Sequence, residues 1–304
     1  MILVFGGNGQ LGRELARAAV CQRLALAGLS RREADIAEPA AVAAAIARYK
    51  PLLVVNAAAY TNVDLAESNV EDARRGNEIG PAVIAAACAS ARVPLVHVST
   101  DYVFDGSKTD AYLESDPVHP LSAYGRSKAA GEEAVRHTLQ QHVILRTAWL
   151  YSEFGRNFLK TMLGLAATRD ELRVVADQRG SPTSVRTLAE AILRIAPRLI
   201  RGDQAWGTYH FAAAGVTSWH GFASRIIAAA APITGRRPRV VAIATADYPT
   251  AARRPANSCL DCQLFERTFG FSAPPWSDEV VRTTRVLVAS VPAKASEAKA
   301  THDA

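Results

Sequence analysis

The chain has 304 residues, of which 49% are hydrophobic and 21% charged, with a formal net charge of +6. That length is about two average domains and the composition is globular, which excludes wholesale disorder, collagen and small disulfide scaffolds. No apolar stretch reaches the roughly 18 residues of a membrane helix, and Met1 to Gly6 lacks the basic flank and long apolar run of a signal peptide, so no membrane partner and a cytoplasmic location are expected.

Residues 1–5 form a short apolar run ending in glycine and read as a buried strand. A helix pattern follows over 11–20, then a strand over 23–29. Residues 39–49 are helical, with Pro39 in the first turn, where its missing N–H costs nothing. Residues 52–56 read as a third buried strand. An Ala-rich helix spans 71–91, and Pro81 predicts a kink or break inside it. Strands at 94–99 and 143–146 flank a helix at 122–137. The rhythm then loosens: helices at 154–168, 187–200, 218–231 and 276–289, with short strands at 172–175 and 209–212. Residues 232–275, rich in Pro, Arg and Thr, read as mostly irregular. The tail from 289, rich in Ala, Lys, Glu and Ser, reads as disordered.

The alternation of strands and helices implies an α/β fold, a Rossmann-type doubly wound parallel sheet. A smaller C-terminal α/β domain for substrate is expected to follow. The expected division is 1–147 for a dinucleotide, with a return of the chain near 185–215, and 148–288 for the substrate.

Only six of the 35 basic residues are Lys, and the Arg residues are scattered, with no run of five like charges. That disfavours a nucleic-acid partner and leaves a solvated surface, or a few Arg residues that meet ligand phosphates. Of the four cysteines, only Cys259 and Cys262 have C-x-x-C spacing, and no second ligand pair stands nearby, so reduced thiols are expected.

The first strand runs into Gly6-Gly7-Asn8-Gly9-Gln10-Leu11-Gly12, which opens the first helix. Gly6 suits a tight turn, Gly9 a close approach of backbone to a pyrophosphate, and Gly12 close helix packing. The helix N-terminus offers free N–H groups to phosphates. Arg13-Glu14 replaces the Lys-Ser/Thr of a Walker A loop, so a dinucleotide fits better than a nucleoside triphosphate. Ser30-Arg31-Arg32 follows the second strand. An Arg there suits the 2′-phosphate of NADPH rather than the free hydroxyl of NADH, unless these arginines are simply exposed.

Tyr124 and Lys128 stand at i, i+4, one turn apart on one helix face. A nearby ammonium would lower the pKa of the phenol, which could then protonate a developing alkoxide. Such a pair also arises by chance; its place after the fourth strand, downstream of the glycine loop, is what singles it out. Thr100 closes the fourth strand, where open α/β sheets bind ligands, and either bonds a substrate carbonyl or is buried in a turn.

Together these residues resemble an extended short-chain dehydrogenase/reductase. Val55 to Asp64, Ser99 to Phe104, Arg146 to Tyr151, Asp177 to Thr183 and Arg254 to Ser258 with Leu260-Asp261 resemble, more narrowly, the dTDP-4-dehydrorhamnose reductases, over about residues 1–288. The resemblance implies hydride transfer from NADPH or NADH to C4 of dTDP-4-dehydro-L-rhamnose, the last step of dTDP-rhamnose synthesis. It implies Tyr124 as proton donor, Lys128 as its assistant and Thr100 at the carbonyl. Gly9, Gln10 and Leu11 would hold the pyrophosphate, Asp35 and Ile36 would lie by the adenine, and Ala58, Ala59 and Tyr60 along the cofactor. Thr100, Asp101, Tyr102 and Trp149 would contact the dTDP-sugar, although core packing also accounts for a Trp. A Mg2+-bridged homodimer would use Glu14 and Glu190, but no third Glu stands in the last helix near Val286-Leu287-Val288; two surface carboxylates account for them equally. A dehydratase would carry Asp-Glu after the Thr, and here Tyr102 follows Asp101. The remaining alternatives are another nucleotide-sugar 4-ketoreductase, an epimerase, or a non-catalytic subunit like the regulatory β subunit of methionine adenosyltransferase.

Overall fold

The structure, a computed structural model, describes residues 1–289. The strands are β1 Ile2–Phe5, β2 Leu26–Leu29, β3 Leu53–Asn56, β4 Leu95–Thr100, β5 His142–Thr147, β6 Leu150–Tyr151, β7 Glu171–Val175, β8 Arg179–Gly180, β9 Thr183–Ser184, β10 Gly207–His210, β11 Thr217–Ser218 and β12 Arg239–Ile243. The α-helices are α1 Gln10–Cys21, α2 Pro39–Tyr49, α3 Val70–Arg74, α4 Gly80–Ala91, α5 Ala123–Thr138, α6 Phe158–Ala166, α7 Val185–Ile200, α8 Trp219–Thr234, α9 Gln263–Phe269 and α10 Trp276–Ala289.

Six strands form one parallel sheet in the order β10-β5-β4-β3-β1-β2. The chain leaves β1 for β2 on one side and returns to β3 on the other. The topological switch therefore lies between β1 and β3, and a crevice opens beyond their carboxyl ends. The strands lack polar alternation because both faces are covered. Ile2 and Val4 of β1 join Leu15, Leu188, Ile192 and Phe265 on one side. Leu3 and Phe5 join Val42, Ile46, Ile84 and Val135 on the other. Each fully buried aliphatic or Phe side chain contributes about 1.5–3 kcal/mol, so this double burial dominates the stability of the sheet.

A third apolar cluster lies away from the sheet and joins Phe104, Trp149, Tyr151, Leu159, Phe222, Ile226 and Val280. It underlies α6, α8 and α10 and the two-stranded parallel pair β7–β12.

Several expectations are corrected. The β2 strand starts at Leu26, not at 23. The helix expected over 71–91 is interrupted by a π-helical turn at Arg75–Ile79, ahead of Pro81 rather than at it. Pro81 cannot donate to the carbonyl of Asn77, so the α-helical bonding pattern is broken at that turn. The α6 helix begins at Phe158, because Gly155 turns with φ 64° and Asn157 caps the helix. The β10 strand is Gly207–His210, two residues earlier than expected. The α8 helix continues through Pro232 to Thr234 and stops at Gly235, φ 68°. Residues 232–275 are not mostly irregular: they hold β12, which pairs with β7, and α9, which sends Phe265 and Phe269 into the core. Ala289, the first residue of the expected tail, ends α10; the rest of that tail lies outside the described residues. Among the described residues no helix is long and apolar enough to cross a membrane.

Candidate active site

The glycine loop forms the floor of a cleft of about 310 Å3 at the switch point. Gly6 turns with φ 88°, and a Cβ there would lie 2.6 Å from Ala58 N. At Gly12 a Cβ would lie 2.4 Å from Gly6 O, so the glycine lets α1 press against the loop itself. Gly9 precedes α1 in extended conformation, which leaves the first N–H groups of the helix, from Gln10 and Leu11, free of helical partners. The Leu11 side chain is in the core, and the Gln10 side chain accepts from Asn157 Nδ2 at 2.9 Å.

Gly6, Gly9, Arg31, Asp35, Ile36, Ala58, Ala59 and Tyr60 all line this cleft. Ser30 and Arg75 line it too; Arg32 is exposed. Burial would raise the Asp35 carboxyl, but bonds from Ala37 N at 3.0 Å, Arg75 at 3.2 Å and Arg31 at 3.3 Å outweigh it and hold it below the usual range. Arg75 is the first residue of the π turn and was not foreseen from the sequence. Asn77 of the same turn was also missed. It accepts from Tyr60 N at 2.8 Å and donates to Ser127 Oγ at 3.0 Å, bracing the cleft wall against α5.

Tyr124 is the second residue of α5, whose start is capped by Ser122 Oγ, accepting from Gly125 N at 3.1 Å. Its ring meets Tyr102 edge-on at 5.8 Å, and Tyr60 of the first cleft packs against the same small apolar cluster, with Ala66, Ala73 and Ala123. Thr100 Oγ1 donates to Asp101 Oδ1 at 2.9 Å and accepts from Tyr102 N at 3.2 Å, so Thr100 caps a turn; its hydroxyl also lies beside the Tyr124 phenol, whose ionised form it favours. Lys128 is buried one turn along α5 and donates to Val98 O at 2.7 Å.

The expected lowering of the Tyr124 pKa is corrected. Burial pushes the phenol up to about 12, with Thr100 opposing it and the Asp101 carboxyl adding to it. The Lys128 ammonium is directed at a carbonyl, and burial pushes it down to about 8 against the pull of Glu132. The phenol is thus held protonated, as a proton donor requires.

Beneath α5, Glu132 accepts from Arg146 Nε at 2.9 Å and from Nη2 at 2.7 Å, and both side chains are almost fully buried. Burial raises the Glu132 carboxyl, but Arg146 outweighs it and holds it low. The signal for this pair was an Arg at the end of a buried strand, which must find an acid.

A second cleft, of about 420 Å3, opens on the other side of Tyr102. Its apolar wall includes Phe158, Met162, Leu172 and Trp219, and its rim carries Arg169, Arg173 and Arg254. Arg254 binds Asp64 through both oxygens, at 3.2 and 2.8 Å. Trp149 adopts φ 46°, a strained backbone for a bulky residue. Its ring stacks flat on Trp219 at 3.6 Å, donates to Ser258 Oγ at 3.1 Å, and covers Gly180, where a Cβ would come within 2.5 Å of it. Trp219, held by Gln178 Oε1 at 3.1 Å, is the ring that lines the cleft. Apart from Tyr102, Gln178 and Arg254, this lining was not legible in advance.

Glu14 and Glu190, the carboxylates expected at a shared metal, each have a cation partner within the chain. Glu14 pairs with Arg17 at 2.6 Å and Glu190 with Arg186 at 2.8 Å. Among the described residues no three His, Cys, Asp or Glu side chains converge. Cys259 and Cys262 are free, and burial raises both thiols, Cys262 to about 12, so neither offers a thiolate.

Comparison with known proteins places this geometry. The family model of the RmlD substrate binding domain matches residues 1–288. A dTDP-4-dehydrorhamnose reductase of Sinorhizobium fredii is 44% identical, covering 94% of this chain and 97% of its own. The crystal structure of a dTDP-4-dehydrorhamnose reductase from Clostridium acetobutylicum superposes with a TM-score of 0.88 at 37% identity, covering 94% of this chain and 99% of that one. A Bacillus anthracis reductase solved in complex with NADP gives 0.85 at 34% identity, covering 94% and 98%.

Proposed function

The chain belongs to the RmlD substrate binding domain family, and from that premise we propose that it is a dTDP-4-dehydrorhamnose reductase, reducing the C4 ketone of dTDP-4-dehydro-L-rhamnose with NAD(P)H. The observation that carries the reading is the position of Tyr124, a buried protonated phenol that meets Tyr102 of the second cleft edge-on and belongs to the small apolar cluster against which Tyr60 of the first cleft packs.

The first cleft fits a dinucleotide: its floor is a loop whose tight turn and packing need glycine at 6 and 12, and that loop leads straight into the N-terminus of α1. Gly6, Gly9, Gln10, Leu11 and Gly12 shape the pyrophosphate site, with Asp35 and Ile36 by the adenosine and Ala58, Ala59 and Tyr60 along the cofactor. Ser30, Arg31 and Arg75 supply donors for a 2′-phosphate, which favours NADPH. The bound dihydronicotinamide supplies the hydride. Tyr124 gives its proton to the oxygen that becomes the alcohol, Thr100 orients the ketone, and Lys128 keeps a positive charge beside the developing phenolate. The second cleft takes the sugar nucleotide, with Arg169, Arg173 and Arg254 facing the diphosphate and Trp149 setting the wall through Trp219. In this division residues 1–147, with the return at 185–215, serve the dinucleotide and 148–288 the dTDP-sugar. The four free thiols suit a reducing cytoplasm.

The test is to mix the protein, NADPH and dTDP-4-dehydro-L-rhamnose and follow loss of reduced-nicotinamide absorbance. Turnover that collapses in Tyr124→Phe supports the assignment. NADPH binding without turnover sinks it, and would point to another keto sugar or to a non-catalytic subunit.

A further inference from the structure

The resemblance implies that Asp101 contacts the dTDP-sugar, yet its carboxyl group is enclosed and its surroundings are unusual. The side chain is 2% exposed. One oxygen, Oδ1, accepts the hydroxyl hydrogen of Thr100 at 2.9 Å. The other, Oδ2, is enclosed and receives no hydrogen bond. Its neighbour on that side is the Ser258 hydroxyl. That hydroxyl donates its single hydrogen to Arg179 O at 3.2 Å and already accepts from Trp149 Nε1 at 3.1 Å. A carboxylate left here would be a buried charge with one oxygen undonated, an arrangement that costs several kcal/mol and is normally relieved by protonation. A carboxylic acid resolves it, since an O–H on Oδ2 can donate to the remaining lone pair of Ser258 Oγ.

We propose that Asp101 is a buried acid that restores the proton of Tyr124 through the Thr100 hydroxyl. The proposal rests on the reductase reading and assigns Asp101 a role within that site. Hydride addition leaves an alkoxide on the sugar. The Tyr124 O–H bond breaks and the new O–H bond forms on the sugar oxygen. The carboxyl group turns so that its O–H faces Thr100 Oγ1, and the phenolate then takes the hydrogen of Thr100 while Thr100 takes that carboxyl proton. Asp101 is left as a carboxylate, and one proton from solvent recharges it once product leaves. Each turnover thus consumes one hydride and one proton, as ketone reduction requires.

The titratable groups around Asp101 agree with this. Tyr102 faces it from its own turn, Tyr124 from α5 and Cys259 from the segment before α9. Arg254 is directed at Tyr102 and Asp64. Burial pushes the Asp101 carboxyl up to about 7, against the bond from Thr100. The acid form is the working form, so activity is retained below that pKa and falls as pH rises through it.

The experiment is the pH profile of kcat and KM for the wild type and Asp101→Asn, with NADPH and the keto sugar, from pH 5.5 to 10. The amide keeps the shape and can still accept from Thr100, but it cannot release a proton. The wild type should lose activity about tenfold per pH unit above an apparent pKa near 7, as one essential acid dictates. Asp101→Asn should lower kcat by a factor on the order of 10 to 100 with KM little changed, and the limb near 7 should vanish, leaving only a higher one. A flat wild-type profile between pH 6 and 8 overturns the proposal without any variant. So does an Asn variant that binds NADPH normally and raises KM while keeping the wild-type pH profile, because that is a substrate contact. No turnover by the wild type at any pH fails the reductase reading instead.

Discussion

The cleft over the glycine loop is walled mainly by residues that follow three neighbouring strand ends, whereas the cleft beside Tyr102 is walled by residues drawn from 102 to 254. In the first, Gly6 and Gly9 follow β1, Ser30 and Arg31 follow β2, and Ala57 to Tyr60 follow β3, so three parallel strands deliver the wall in order. In the second, Phe158 and Arg169 flank α6 and its exit, Trp219 opens α8, and Tyr248 and Arg254 come from irregular chain. A site built on neighbouring strand ends depends first on the space that its glycines leave. A side-chain site depends on packing that crosses the fold, and each residue in it can be tuned separately. The two should therefore respond differently to substitution, and Tyr124, between them, should respond unlike either.

Tyr124→Phe carries the largest expected effect. The ring remains and both walls keep their packing, but the proton is gone. We expect kcat to fall by about 10²–10⁴. NADPH affinity by fluorescence titration should stay within about twofold of wild type, because the hydroxyl adds little to uniform binding. A loss of cofactor affinity of the same size as the loss of rate would show that the phenol belongs to the first cleft alone.

Arg146→Leu tests the frame on which both clefts rest. Glu132 would lose the partner that holds it ionised, with Arg136 at the margin as its remaining cation. Breaking one side of a buried pair costs about 3–5 kcal/mol, which would show as a lower midpoint in urea unfolding with both ligand affinities reduced together. Unchanged unfolding would mean that Arg136 suffices to compensate the acid.

A matched pair of glycine substitutions separates the clefts. In Gly12→Ala the new methyl meets backbone, Gly6 O at 2.4 Å, so the loop must shift. In Gly180→Ala it meets the Trp149 ring at 2.5 Å, which in turn supports Trp219. Overpacking of this kind costs about 1–3 kcal/mol. Gly12→Ala should weaken NADPH with the sugar-nucleotide KM held, and Gly180→Ala should do the reverse. If both variants move both constants, the clefts are one mechanical unit and the comparison fails.

The same contrast explains how much could be read in advance. The parallel sheet, the glycine loop and the Tyr124–Lys128 pair were legible because their signals are local: apolar runs, glycine spacing and one helical turn. The π turn at 75–79 was not, since it depends on Pro81 meeting a tertiary demand, and with it went Arg75 and Asn77. The β12 strand and α9 were missed for a related reason. The strand is half exposed and the helix is 7 residues long; partners β7 and the core, distant in sequence, hold them in place. The pKa of Tyr124 was read with the wrong sign because spacing places a lysine one turn away but does not say which carbonyl its ammonium will choose.

The smallest expected effect sharpens the cofactor assignment. The Arg31 side chain is 77% exposed and paired with Asp35 at 3.3 Å, so without ligand it is worth little to stability. A 2′-phosphate would compete with Asp35 for it and for Arg75, whose side chain also binds Glu38. Phosphate adds up to two negative charges where NADH has a hydroxyl, so any gain must appear as a difference between the two cofactors. Arg31→Ala should weaken NADPH by about two- to fivefold, the range of an exposed ion pair, and leave NADH unchanged. Raising the salt concentration should shrink the wild-type preference in parallel, since exposed charges are screened over roughly 10 Å at 0.1 M. Equal weakening of both cofactors would mean instead that Arg31 acts by holding Asp35 against the adenosine, and that the cleft does not read the 2′ position through it.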